Sequence, residues 1–330
     1  ADIFIICVQT PIESNKINPI PKPNLDYVYA AAESIAKVLE KGNLIVLEST
    51  SPVGTTKRIA ELIEKKSGLS QTDFYLSYCP ERVIPGDILN ELIINDRVIG
   101  GINQLSSERC RDFYETFCKG SLLLCEASTA ELVKLSENSY RDINIAFANE
   151  LSMICSKYKI NTNQLIKLAN KHPRVNIHNP GCGVGGHCIA VDPWFIASQL
   201  PNESKLIQKA RETNLAKTRW VIKKIEKRVN EIKSIINCIP KIGFLGLAYK
   251  ANVDDLRESP ALFIVKHFLE KKNKCYVCEP FLKEHKDIKL SSLETVIQES
   301  DIVIFLVAHD LFKNIDIENK PFEDFCGLYN

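Results

Sequence analysis

Short apolar runs that alternate with longer amphipathic segments constrain this chain more than any other feature. Strands are expected at 3–8, 43–48, 74–78, 96–100 and 121–124, with helices at 25–40, 55–66 and 106–117 between them. The runs are apolar enough to be buried on both faces, which is the mark of a parallel sheet covered by helices. The pattern resumes from about 240, with strands at 241–247, 274–279 and 301–307 and helices at 260–271 and 293–299. Between the two lies a mostly helical stretch, in which 128–151 reads as one long helix without proline or glycine. The expected fold is therefore α/β: two Rossmann-like parallel-sheet domains, residues 1–125 and 236–330, joined by a central helical region, 126–235.

At 330 residues the chain is long enough for two separate cores, and 45% apolar with 25% charged residues is a globular balance that excludes disorder. A net charge of +1 gives no reason to expect nucleic acid or an acidic membrane surface as partner. The longest apolar runs, 3–8 and 302–308, fall far short of the roughly 20 residues a spanning helix needs, so a soluble, cytoplasmic protein is expected. The 12 cysteines are too scattered in too long a chain for a disulfide framework. Cys7, Cys155 and Cys238 read as reduced core residues. Cys275 and Cys278 form a CxxC, but in a strand they fall on opposite faces, and no second pair completes a zinc site, so no metal is expected.

Two constellations carry chemistry. The first is the loop Gly181-Cys182-Gly183-Val184-Gly185-Gly186-His187-Cys188, followed by Asp192-Pro193-Trp194-Phe195. Four glycines let the backbone approach a ligand and turn N–H groups towards it, and a thiol beside such donors is a candidate nucleophile, Cys188. A surface turn with a half-buried cysteine is the plainer alternative. Cys188 and Asp192 share a face if they form one helical turn, but need not if a helix opens at Pro193. The second constellation lies on the long helix, where Lys134 and Asn138, and Asn138 and Asp142, are four apart. An exposed polar face would explain them equally simply, although Ser136, Asn138, Ser139 and Asn144 are poor helix formers for such a role.

Three further segments join these two: Glu48-Ser49-Thr50-Ser51-Pro52-Val53-Gly54-Thr55-Thr56, Cys79-Pro80-Glu81-Arg82-Val83-Ile84-Pro85-Gly86, and Gly246-Leu247-Ala248-Tyr249-Lys250 with Asp255-Leu256-Arg257-Glu258-Ser259-Pro260. With five motifs in order along essentially the whole chain, the sequence resembles the UDP-glucose/GDP-mannose dehydrogenase family. His172-Pro173-Arg174-Val175-Asn176-Ile177 and the segment 189–195 look like the mannosamine branch of that family rather than the glucose branch.

The resemblance implies an NAD-dependent four-electron oxidation of a UDP-sugar, with Cys188 forming a thiohemiacetal and then a thioester. It gives Lys134 and Asn138 to the oxyanion or a catalytic water, Asp192 to proton transfer, and Glu81 and Thr50 to positions beside sugar and cofactor. Cofactor contacts are implied for Thr10, Thr50, Glu81 and Arg257, and substrate contacts for Glu81, Arg82, Lys134, Asn138, Gly185, Gly186 and Lys250. Arg174 is implied to reach across a homodimer interface centred on the long helix. His187, adjacent to Cys188, is not expected to act as its base. For Thr50 a helix cap, for Glu81 a strand end, for Thr10 a strand-end turn, and for Lys250 and Arg257 surface pairing with Asp254, Asp255 or Glu258 are the structural alternatives.

A dinucleotide fold opens with a strand and G-x-G-x-x-G. Gly181, Gly183 and Gly186 have that spacing but follow Asn179-Pro180, and the Gly243–Gly246 turn follows a strand but lacks the spacing. The first βαβ half of the cofactor domain is thus expected to be absent from this sequence. Two other readings remain at this level: the same chemistry on UDP-N-acetylglucosamine or UDP-glucose, and a chain that folds and dimerises without holding NAD.

Overall fold

The computed structural model describes residues 1–13, 20–83, 87–317 and 319–329. It divides into two compact units, one made of residues 1–139 and 191–205 and the other of 140–190 and 206–330.

In the first unit, β1 (Ile3–Ile6) precedes a two-residue ribbon of β2 (Ile12–Glu13) and β3 (Lys22–Pro23), and α1 (Asp26–Ala36) follows. Then come β4 (Leu44–Leu47), α2 (Thr55–Ser67), β5 (Tyr75–Tyr78), α3 (Ile88–Ile94), β6 (Arg97–Gly101), α4 (Gln104–Glu115) and β7 (Leu122–Glu126). The sheet order is β1-β4-β5-β6-β7. Every residue of β4 is buried: Ile45 and Leu47 face a core with α1 and α2, while Leu44 and Val46 face Cys110 and Tyr114 of α4. This two-sided burial is why the strand reads as an unbroken apolar run.

The sheet is mixed, not all parallel as expected. β5 and β6 pair antiparallel, whereas β1·β4, β4·β5 and β6·β7 are parallel. A parallel neighbour needs a crossover helix packed on the sheet face, and α3 buries none of its residues, so the chain turns back beside β5 instead. Neither α3 nor the ribbon was expected from the sequence.

α5 (Ala127–Tyr158) is longer than expected and contributes residues to Ser139 to the first unit and from Tyr140 to the second. α6 (Thr162–Ala169) follows; α7 (Asp192–Gln199) belongs to the first unit, and α8 (Lys205–Ile236) almost wholly to the second. The second unit then runs β8 (Ile242–Leu245), α9 (Pro260–Glu270), β9 (Cys275–Cys278), α10 (Leu293–Glu299), β10 (Ile302–Phe305) and β11 (Phe322–Asp324), in the all-parallel order β11-β10-β8-β9. Ser259 and Ser292 cap α9 and α10 by accepting from Leu262 N and Thr295 N. On β9, Cys275 packs with Ile242 and Phe244, and Cys278 joins the opposite core with Leu245 and Phe305. Cys155 is buried as expected, but Cys7 and Cys238 are exposed: the apolar letters around them belong to the end of an edge strand and to the turn after α8.

Candidate active site

The long helix carries a buried polar stripe. Glu131, Lys134, Asn138, Asp142 and Asn149 repeat at helical spacing, and each is no more than 9% exposed. A solvated polar face is thereby excluded for Lys134 and Asn138. Buried polar groups need partners, and each of these has one.

In the first unit, Glu131 accepts from Gly54 N (2.5 Å), Thr56 N (2.7 Å) and Thr56 Oγ1 (2.7 Å), so its carboxylate occupies the N-terminus of α2. Burial nonetheless pushes its pKa up. Thr50 therefore does not cap α2; it lies half-buried in the loop after β4. Lys134 Nζ donates to the Glu81 carbonyl at 2.6 Å. The Glu81 carboxylate accepts from Arg82 N (2.6 Å) and Val83 N (2.9 Å) and faces the Arg97 guanidinium at 3.6 Å. Arg82 pairs with Glu137, one turn from Lys134, at 2.6 Å. Ile84, Pro85 and Gly86 of this motif lie outside the described residues.

Asn138 Nδ2 donates to Asp192 Oδ2 at 2.5 Å. Asp192 is the first residue of α7, with Pro193 next, so the helix opens there and Cys188 lies in the turn before it rather than on the same helical turn. Burial raises the Asp192 carboxyl from 3.8 to about 6, against the pull of Asn138 and Lys134. Folded protein thus keeps a proton that the unfolded chain has lost between these pH values. The resulting stability is fully present below about pH 4 and is lost as the pH rises through about 6. We expect Asp192→Asn to lose less stability than the parent between pH 4 and 7 in denaturant unfolding. Equal losses would contradict a raised carboxyl at this position.

Arg97 and Glu131 were not singled out from the sequence. Glu131 was findable, since it precedes Lys134 by three and Asn138 by seven on the same helix. Arg97, 3% exposed and stacked 4.5 Å from the Tyr114 ring centroid, is a charge opening an apolar strand, a weak signal alone.

The loops after β1 and β4 leave the sheet side by side, joined through Ser49, whose Oγ accepts from Val8 N (2.7 Å) and donates to Val8 O (2.6 Å). This is the carboxyl end of adjacent parallel strands, where α/β sheets bind ligands. Thr10 Oγ1 is buried there with no hydrogen-bond partner among the described residues. An unsatisfied hydroxyl at that edge fits a polar cofactor, although no G-x-G-x-x-G follows a strand in the sequence.

In the second unit, the loop carrying Cys188 rests on residues 246–260. Gly186 N donates to Arg257 O at 2.9 Å. Gly186 has φ +82°, and a Cβ there would meet Tyr249 Cε2 at 2.9 Å; one on Gly185 would meet Glu258 O at 2.6 Å. Only glycine permits both approaches. Cys188 is half-buried. Burial, Asp255 and the Cys188 thiol push the Tyr249 hydroxyl up. Burial and the Arg257 guanidinium push the His187 imidazole down, away from its charged form. Lys250 and Arg257 are exposed, and Arg257 pairs with Asp255 through Nε (3.0 Å) and a second nitrogen (2.6 Å), the surface pairing considered above. Arg174 is exposed on a loop closed by Asn170, which donates to Ile177 O (3.0 Å) and accepts from Ile177 N (2.7 Å).

The family comparison decides what this chemistry belongs to. The chain matches the UDP-glucose/GDP-mannose dehydrogenase family in three consecutive parts: its NAD binding domain over residues 1–118, its central domain over 128–216 and its UDP binding domain over 243–322. The chain belongs to this family. It is an NAD-dependent UDP-sugar dehydrogenase. A UDP-N-acetyl-D-mannosamine dehydrogenase of Campylobacter jejuni is 48% identical over 342 residues, taking in 99% of this chain and 81% of that protein. An NDP-N-acetyl-D-galactosaminuronic acid dehydrogenase of Ralstonia solanacearum is 45% identical, over 100% of this chain and 79% of that one. Among solved structures, a UDP-D-ManNAc dehydrogenase from Pyrococcus horikoshii superposes with a TM-score of 0.89 at 37% identity, over 100% of this chain and 78% of that one. In this dehydrogenase, the Thr10 edge and the loop at Thr50 lie within the part matched by the NAD binding domain, and Lys250 and Arg257 within the part matched by the UDP binding domain.

Proposed function

We propose that this dehydrogenase oxidises UDP-N-acetyl-D-mannosamine to UDP-N-acetyl-D-mannosaminuronate, a precursor for polysaccharide, through a thioester on Cys188. The observation that carries this reading is the buried set of Lys134, Asn138 and Asp192, together with the glycine-lined loop of Cys188, in a chain 48% identical to a protein named for that sugar nucleotide.

The primary alcohol first loses a hydride and a proton to become an aldehyde. Cys188 sulfur then adds to the carbonyl carbon, loss of a second hydride gives the thioester, and water cleaves it to carboxylate and free thiol. Two molecules of NAD, bound in turn, would each supply the acceptor for one hydride. Thr10 and Thr50, with Glu81 and Arg257, are the residues that would hold NAD. Lys134 supplies positive charge to the oxyanion on the substrate oxygen, and Asn138 holds Asp192 in place. Asp192, ionised above about pH 6, takes the proton from the attacking water. In this reading Glu81 and Arg82 contact the sugar nucleotide, Gly185 and Gly186 are also assigned to it, and Lys250 meets the diphosphate. Division into a cofactor part (1–125), a helical part (126–235) and a sugar-nucleotide part (236–330) belongs to the same reading; the family matches support it.

The enzyme acts as a cytoplasmic homodimer in this reading, with Arg174 reaching the neighbour's site. Tyr140, Phe147, Ile154 and Tyr158 support the dimer: they are exposed large apolar residues at seven- and four-residue spacing along α5. Turnover of UDP-N-acetylmannosamine against UDP-N-acetylglucosamine, UDP-N-acetylgalactosamine and UDP-glucose tests the assignment. The highest kcat/KM is expected for the mannosamine compound; a higher value for another sugar would reassign the substrate.

A further inference from the structure

Lys250 sits on a short arch whose two feet end on one buried pair of side chains. Glu279, directly after β9 and 3% exposed, accepts from Leu247 N (2.7 Å) and Ala248 N (3.0 Å). His309, fully buried after β10, accepts from Asn252 N at Nδ1 (2.9 Å). With Nδ1 accepting, the imidazole proton is on Nε2, which lies 3.2 Å from Glu279 Oε2 and donates to it. Tyr249, Lys250 and Ala251 are the span between these anchors. Asn252 has φ +60°, a conformation disfavoured outside glycine, and two side-chain bonds hold it there: Asn252 Nδ2 to Asp310 Oδ2 (2.7 Å) and Asp310 N to Asn252 Oδ1 (3.0 Å). Phe281 and Phe312 flank the imidazole at 5.1 and 5.4 Å, closing the pair off from water.

The arrangement is specific in a second way. Leu247 N and Ala248 N are the donors that follow the first strand of this α/β unit, where a dinucleotide fold lays a phosphate. Here the unit's own carboxylate takes them. Burial would raise the Glu279 carboxyl, but His309 and the two N–H groups outweigh it and hold it below its ordinary range. The turn is thus closed to a phosphate of its own, and Lys250, exposed at the crest of the arch, is left as the cation presented to an anion.

We propose that Glu279 and His309 are positioning residues that fix the arch so that Lys250 meets the diphosphate of the sugar nucleotide. This rests on the reading of Lys250 given under Proposed function. Neither residue touches the ligand; both act through the backbone on either side of Lys250.

The test is calorimetric titration with UDP of the parent protein, Lys250→Ala, His309→Phe and the double variant. Each single change is expected to weaken UDP binding about tenfold, the share of one charge-assisted contact, with the double variant no weaker than either single one. NAD affinity should stay within about twofold in all of them. Multiplying effects in the double variant, or unchanged UDP affinity in His309→Phe while Lys250→Ala weakens it, would overturn the positioning role. Unchanged affinity in Lys250→Ala would instead overturn the reading of Lys250 itself. Two near-isosteric variants keep the test decisive if phenylalanine is not tolerated. His309→Asn keeps an acceptor for Asn252 N and should bind UDP better than His309→Gln, which keeps only the bond to Glu279; the reverse order would contradict the proposal.

Discussion

Cys188→Ser is expected to lower uronate formation by about three orders of magnitude or more, the scale on which enzymes lose rate when a covalent nucleophile is removed. Serine fits where cysteine does, so the loop on Gly185, Gly186 and Tyr249 should keep its shape. The chemistry is what changes. A thiol is partly ionised near neutral pH and becomes more so beside oriented N–H groups, whereas a serine hydroxyl is not, and its ester is a poorer acyl donor than a thioester. His187 offers no compensating base, since burial and Arg257 disfavour its charged form. Measured as uronate formed from the UDP-sugar, undiminished turnover in the variant would rule out the thioester route.

Arg211→Leu is expected to destabilise the protein by about 3–5 kcal/mol, the cost of leaving one member of a buried ion pair alone. Arg211 and Asp142 meet at 2.7 Å with side chains 3% and 1% exposed. Burial raises the Asp142 carboxyl, and Arg211 and Asn214 oppose that shift, so without the guanidinium the carboxylate is stranded. Asn214 also donates to Asp142 Oδ1 (2.8 Å) and accepts from Asn149 Nδ2 (2.9 Å), and Asn149 Oδ1 accepts from Gly181 N (2.9 Å). The pair is therefore one end of a chain of bonds that reaches the first glycine of the Cys188 loop. Denaturant unfolding should show most of the loss recovered when Asp142 is also made leucine, because an apolar pair leaves no charge behind. A loss below about 1 kcal/mol in the single variant would mean that solvent reaches Asp142.

What the sequence made legible follows from how local each signal is. β4, β8 and β10 announce themselves as apolar runs because every one of their residues is buried. The direction of β6 is not local: it depends on α3 staying off the sheet, which no periodicity in seven residues reveals. At the site, Lys134, Asn138 and Asp142 were visible as a helical stripe, but its burial was not, since their partners Glu81, Asp192 and Arg211 lie 53, 54 and 69 positions away. Glu131 shares the spacing of that stripe, but its partner at the start of α2 lies 75 positions away, and Glu279 and His309, 30 apart, share no local pattern. Composition around Cys7 and Cys238 misled for a related reason: apolar neighbours along the chain do not bury a residue at the end of an edge strand or in a turn.

In the proposed reaction one active site carries a sugar alcohol through two oxidations without releasing the aldehyde. The most direct measurement is the amount of NADH formed per limiting UDP-N-acetylmannosamine at completion. About two per sugar, with uronate as the product, is expected for the thioester route. One NADH per sugar with free aldehyde, or none, would contradict it.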